Sequence, residues 1–303
     1  MSLSFKFQTS IIKLIGIKKV FSQSGATLEA TVAKKFRPTH FAPSKGMYKK
    51  YNITQDTIEG QTYYIISPKS GKSERMLLYI HGGGFFLELL GMSFDIFASY
   101  ADKVQATVII PIYPLAPEHS CEPTYSMLLA LYQKMLTQMP SSQISFAGDS
   151  AGGTIALGFA QYLLEKNLPQ PKNIILLSPA LNYAPFSPED QALAEEITKK
   201  DVFLDWPCLE TLGKWWAGKT YDINHYLISP FNGPLKGLGK ISVFASTDDV
   251  TYVYTKKFPE RAKSEGVEIN YIEGLHMMHC WFLLLCPEAK QLKAQIEEIL
   301  KEK

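Results

Sequence analysis

Residues 148–152 read Gly-Asp-Ser-Ala-Gly and stand between QISFA, an apolar run fit for a buried strand, and GGTIALGFAQYLLEK, a run with helical spacing. A strand that turns into a helix around one serine leaves room only for tiny neighbours. It also strains the serine backbone, so the hydroxyl is presented above the sheet edge. Reading Ser150 as a plain helix N-cap accounts for one serine but not for glycines on both sides. The pattern therefore predicts a strand–nucleophile–helix unit, and with it a parallel sheet flanked by helices.

The rest of the chain past Pro38 fits that expectation. Strand-like runs are predicted at Gln61–Ser67, Arg75–His81, Ala106–Tyr113, Gln143–Ala147, Asn173–Ser178, Lys240–Ser246 and Glu268–Glu273. Helical spacing is predicted at Tyr125–Gln138, Ala151–Lys166, Tyr254–Glu265 and Glu288–Lys301. The expected fold class is α/β, with a mostly parallel central sheet flanked by helices and a helical cap. Residues 46–303 form the expected catalytic domain, and residues 1–45 and 183–227, which break the alternation, form the expected cap over the site. The first stretch is read as an amphipathic helix docked on the domain, with Phe5, Phe7, Ile11, Leu14 and Ile15 forming an uneven apolar face.

A serine hydroxyl is a weak nucleophile at neutral pH and needs a base, and the base needs an acid to orient it. In a chain carrying this turn, the acid follows the serine and the histidine follows the acid. Asp248 and Asp249 come just after KISVFAS, and His276 and His279 after EINYIEG, at the carboxyl ends of two predicted strands where sites of open α/β sheets form. A loop aims only one of two adjacent side chains at a given point, and Asp249 is favoured. Spacing alone leaves the two histidines level. After RMLLYI come His81, Gly82, Gly83 and Gly84, whose bare backbone can point N–H groups at a developing oxyanion. Gly83, Gly84 and Ala151 are the expected donors. His81, Asp149, Glu118 and His119 are read as structural, and no second ligand accompanies His81 to make a metal site.

Composition removes other classes. With 31 basic and 29 acidic residues and no basic block with interleaved aromatics, a nucleic-acid surface is not expected. No apolar run reaches the roughly 18 residues of a spanning helix, so stable membrane insertion is not expected. The apolar stretch from Ile11 to Ile17 is broken by Lys13 and is followed by no small-residue cleavage site, which makes cytoplasmic the default location. Cys121, Cys208, Cys280 and Cys286 lack metal-site spacing and read as buried thiols.

The HGGGFF loop at residues 81–86, the GDSAGG turn at 148–153 and YPLAPEH at 113–119 together resemble the hormone-sensitive-lipase-like branch of the α/β-hydrolase family. The resemblance runs from about residue 60 to the C-terminus. It aligns Ser246-Thr247-Asp248-Asp249-Val250 with the family's acid loop and Met277-Met278-His279-Cys280-Trp281 with its base loop. This implies Ser150, Asp249 and His279 as a catalytic triad, with Ser246 in place of the usual glycine and Asp248 as a departure beside the acid. It further implies a serine carboxylesterase acting on short, acetyl-like acyl esters through an acyl-enzyme, without cofactor or metal. Phe85, Phe86, Trp215 and Trp216 are the expected pocket aromatics. The expected partner is a small-molecule ester, and a homodimer is compatible with the sequence. An amide or thioester hydrolase or an acyltransferase would use the same triad. A non-catalytic binding member would keep the pocket alone, and a membrane-attached lipase would use the basic first helix.

Overall fold

The computed structural model describes residues 1–36 and 41–302. Its centre is an eight-stranded sheet in the order β1-β2-β4-β3-β5-β6-β7-β8. The strands are β1 (Asn52–Ile58), β2 (Gln61–Ser67), β3 (Arg75–Ile80), β4 (Ala106–Pro111), β5 (Ile144–Asp149), β6 (Asn173–Leu177), β7 (Lys240–Ser246) and β8 (Asn270–Gly274). From β3 to β8 every pairing is parallel, whereas β1 and β2 form an antiparallel edge. The mostly parallel sheet is as expected. The β1 strand was not, because NITQDTI is polar and lies largely exposed, so its only signal is pairing with β2.

Strands β5 and β6 are buried at every residue, as a sheet covered on both faces requires. One core layer packs under the helices Cys121–Leu136 and Ala151–Glu165. The other packs under Gly91–Ala98 and Pro287–Lys301. The helix expected over Tyr254–Glu265 is two short ones, Tyr252–Thr255 and Phe258–Ser264, with Pro259 in the first turn of the second. Proline has no N–H to continue a helix and fits where the first donors are unpaired anyway.

The two regions outside the alternation meet each other. The helix Gly25–Lys35 packs on Pro207–Ala217, and the N–H of Gly25 donates to Thr211 Oγ1 at 2.7 Å. Lys18 Nζ donates to the carbonyls of Thr198 and Asp201. The Leu3–Ile15 helix docks on the domain, but not by the expected face: of its five expected apolar residues only Phe5 is buried, Ile12 packs beside it, and Phe7, Ile11, Leu14 and Ile15 are exposed.

Candidate active site

Ser150 sits between β5 and the helix Ala151–Glu165 with φ +51° and ψ −122°, a conformation that L side chains rarely adopt. The strain persists because the turn is pinned on both sides. Ser150 N–H donates to the Leu177 carbonyl on β6 at 2.9 Å, and Thr154 N–H donates back to the Ser150 carbonyl at 3.2 Å. The flanking glycines are required by contact. A Cβ on Gly148 would lie 2.2 Å from the Gly152 carbonyl oxygen, and one on Gly152 would lie 2.1 Å from that of Ile80. Ser150 occupies an N-cap position, yet its side chain makes no capping bond. Its Oγ instead lies 2.9 Å from His279 Nε2.

His279 Nδ1 in turn lies 2.7 Å from Asp249 Oδ2, with both side chains buried. The other Asp249 oxygen accepts from Thr251 N–H at 2.9 Å. Burial alone would push the His279 imidazole down. The charge of Asp249, with Cys280 and the hydrogen bonds adding to it, outweighs burial and carries it well above the ordinary histidine range. Asp248 and His276 are not part of this array. They lie beside it nearer solvent, with His276 Nδ1 and Asp248 Oδ1 3.5 Å apart and His276 exposed.

The glycine loop faces the same point. Gly83, Gly84 and Phe85 have φ of +111°, +58° and +67°, so three successive residues turn the chain back over Ser150. Gly83 and Gly84 line the cavity together with Ser150 and His279. Ala151 opens its helix, where the first N–H groups have no intrahelical acceptor. Asp149 fastens the loop to the nucleophile turn. Its Oδ1 accepts from Tyr79 Oη at 2.5 Å and from Gly82 N–H at 3.1 Å. A Cβ on Gly82 would come within 2.5 Å of this carboxyl group, so the first glycine is needed for the approach. Burial raises the Asp149 carboxyl above its ordinary range despite these donors. His81 stacks on Tyr113 with ring centroids 4.3 Å apart, and burial pushes its imidazole down to about 4, which leaves it neutral.

The cavity over Ser150 has a volume of about 50 Å³. The four aromatics expected to wall it do not line it. Phe85, turned inward by its positive φ, stacks on Trp216 at 4.4 Å and 5°, and both are fully buried beneath the loop. Phe86 packs against Phe21 and Trp215. The apolar wall comes instead from Phe21 in the first region and from Phe203, Leu204, Leu209 and Leu212 in the insert. No local signal in the sequence separates these residues from ordinary core positions. A larger cleft of about 740 Å³ opens at the amino ends of β3 and β4, away from Ser150. Of its lining cations Lys72, Arg75 and Lys172, the last two are bonded to the carbonyls of Leu300 and Glu302.

The roles of two further residues were not foreseen. Asp201, buried in the insert, accepts from the N–H groups of Phe203 and Leu204 through one oxygen and of Val250 through the other. It thereby ties the cavity wall to the residue after Asp249. Burial, and next the charge of Asp249, raise its carboxyl above the ordinary range. Ser246, which replaces the glycine usual in the resembling family, is buried with its hydroxyl 2.9 Å from Ser178 Oγ. Ser178 Oγ in turn accepts from Cys280 N–H at 3.0 Å, so the substitution supports the loop that carries His279. All four cysteines are free and buried. Among the described residues no group of three or more His, Cys, Asp or Glu side chains comes together to hold a metal ion.

A strained serine between a parallel strand and a helix, under a glycine loop at the carboxyl ends of the strands, is the arrangement of an α/β hydrolase. The chain belongs to that family, whose alpha/beta hydrolase fold model matches residues 77–283. It is 29% identical over 245 residues to an esterase of Acinetobacter venetianus, covering 74% of each chain. It is 27% identical over 210 residues to an acetyl-hydrolase of Streptomyces hygroscopicus, covering 68% of each. A solved esterase of the bacterial hormone-sensitive lipase family superposes with a TM-score of 0.78 at 21% identity, over 99% of both chains.

Proposed function

We propose that this carboxylic ester hydrolase cleaves short-chain, acetyl-like acyl esters with Ser150 as nucleophile, His279 as general base and acid, and Asp249 as the orienting acid. The observation that carries the reading is the continuous array from Ser150 Oγ through His279 Nε2 and Nδ1 to Asp249 Oδ2, at 2.9 and 2.7 Å. Ser150 attacks the ester carbonyl as His279 takes its proton, and the carbonyl oxygen becomes an anion facing the N–H groups of Gly83, Gly84 and Ala151. Collapse of the tetrahedral species breaks the bond to the alkoxy oxygen, which leaves with the proton from His279. Water then repeats the sequence on the acyl-enzyme, and Asp249 stabilises the imidazolium in both halves without taking its proton. The first region and the insert act as the cap that closes the acyl side.

Acyl length follows from volume. A cavity of about 50 Å³ compares with the roughly 10–15 Å³ that one water occupies by the same kind of measure, so it takes only a few heavy atoms. The test is hydrolysis of p-nitrophenyl esters from acetyl to dodecanoyl, with Ser150→Ala in parallel. Activity is expected to fall by at least about tenfold from acetyl to the medium chains. Ser150→Ala is expected to lose roughly 10⁴-fold or more in kcat. Equal rates across chain lengths would remove the short-acyl reading, and an active Ser150→Ala would remove the nucleophile.

A further inference from the structure

The Leu3–Ile15 helix has two apolar faces and uses only one of them. Phe5, Thr9 and Ile12, spaced i, i+4, i+7, face the body. Phe5 is buried, Ile12 packs against the core, and Thr9 Oγ1 lies 4.0 Å from Met278 Sδ. Leu3, Phe7, Ile11 and Leu14, spaced i, i+4, i+8, i+11, run along the opposite side with Ile15 beside them. Leu3, Phe7, Leu14 and Ile15 are each more than two-thirds exposed. Large apolar side chains this open, contiguous along one helix, mark an interaction surface.

We propose that this face docks on the surface of an anionic lipid bilayer. Charge selects the occupant. Lys6 and Lys13 flank the stripe, and Lys13 shares a cleft with Lys19, Lys200 and Lys199, the last of which is paired with Glu196. No acidic residue precedes Glu29. Of the carboxylates nearby, Glu288 is bonded to the N–H and hydroxyl of Ser2, Asp201 is buried, and Asp248 pairs with His276 in a cleft that also holds Lys6 and Lys200. A second copy docking on the same face about a two-fold axis would set Lys6 and Lys13 against their own counterparts. Lipid phosphates meet them with opposite charge while the acyl region takes the stripe. The helix has 13 residues, about 20 Å of length at 1.5 Å per residue, and lies in the interface plane. No helix among the described residues is long and apolar enough to cross a membrane.

The helix is tied to the loop that borders the site. The Gln8 side chain exchanges hydrogen bonds with the N–H and C=O of Leu285 at 2.7 and 2.9 Å, and Leu285 is itself exposed. Two residues earlier, Leu283 lines the cavity over Ser150. Seating the helix in a bilayer surface therefore brings that side of the cavity to the lipid.

The experiment is co-sedimentation of the full chain with vesicles of phosphatidylcholine alone and of phosphatidylcholine mixed with phosphatidylglycerol. The protein is expected in the pellet only with the anionic vesicles and in the supernatant at high salt. Phe7→Asp with Leu14→Asp is expected to lower the bound fraction by at least about tenfold. Hydrolysis of p-nitrophenyl acetate in solution should be unchanged, which reports an intact fold. If that double variant is inactive, Lys6→Glu with Lys13→Glu decides in its place. The proposal is overturned if the unmodified chain stays in the supernatant, or if the variants sediment as it does. It is equally overturned if light scattering shows a dimer that Phe7→Asp with Leu14→Asp converts to a monomer while no vesicle is bound.

Discussion

Two acid–histidine pairs lie side by side at the carboxyl ends of β7 and β8, made of the same residue types on the same two loops. Asp249 and His279 are buried and in contact at 2.7 Å, whereas His276 is half exposed and sits 3.5 Å from Asp248. The loops are locked together between the pairs, since Asp248 N–H donates to the Met277 carbonyl at 3.2 Å and His276 N–H to Thr247 Oγ1 at 2.7 Å. Water separates the two pairs in kind. Outside, a charge on Asp248 is screened by solvent. Inside, the Asp249 charge acts through protein and favours the protonated imidazole against burial.

The comparison is broken most directly at the histidines. His279→Ala is expected to lower kcat by roughly 10³- to 10⁵-fold, because it removes the base hydrogen-bonded to Ser150 Oγ. His276→Ala, at an exposed position, is expected to stay within about twofold of the unmodified enzyme. Steady-state kinetics on p-nitrophenyl acetate, with circular dichroism to verify the fold, measures both. A large loss in His276→Ala alone would exchange the roles of the two pairs.

The acids give the next largest difference and a pH signature. Asp249→Asn is expected to lower kcat by on the order of 10³-fold, and Asp248→Asn by less than about threefold. Only the neutral imidazole can accept the proton of Ser150. Since Asp249 raises the His279 pKa above 6.5, the rate of the unmodified enzyme should climb with pH on the alkaline side of that value. Removing the charge leaves burial as the dominant influence. The rising limb of Asp249→Asn should therefore move to lower pH, while that of Asp248→Asn stays in place. A profile of kcat/KM against pH distinguishes a carboxylate that tunes the base from one that only holds a loop.

How much of this was legible in the sequence differs by residue. Gly148, Gly152 and Gly82 announce the site because a missing side chain is itself visible in the sequence: each stands where a Cβ would strike backbone or Asp149. The strands β2 and β7 carry their own apolar signature and begin and end where it predicts. The choice between Asp248 and Asp249, and between His276 and His279, depends on which member of each loop turns inward. His276 and Cys280 both have positive φ, a bend that carries no sequence mark in a non-glycine residue. The cavity wall was misread for a related reason. Phe85 and Phe86 follow the glycine motif and Trp215 and Trp216 stand out in the insert as aromatics, but packing buries Phe85, Phe86 and Trp216 and half-buries Trp215, and Phe21 and Leu212 arrive from distant regions by tertiary packing. Asp201 is one acid among several in the insert until the fold brings it to Val250 N–H.

The smallest expected effect lies behind the buried pair. Ser178 Oγ accepts from Cys280 N–H and shares a hydrogen bond with Ser246, so it fixes the residue that follows His279. Ser178→Ala would leave a buried N–H and the Ser246 hydroxyl without this partner, at a cost of about 1–3 kcal/mol in stability. Because Asp249 still orients the ring, kcat should fall only severalfold, and the pH profile should keep its position, since no charge near the imidazole has changed. Urea unfolding and the pH profile of Ser178→Ala test this together. A shift of the rising limb comparable to that of Asp249→Asn would mean that loop position, rather than the Asp249 charge, sets the His279 pKa. The contrast between the inner and outer pairs would then rest on backbone placement more than on exclusion of water.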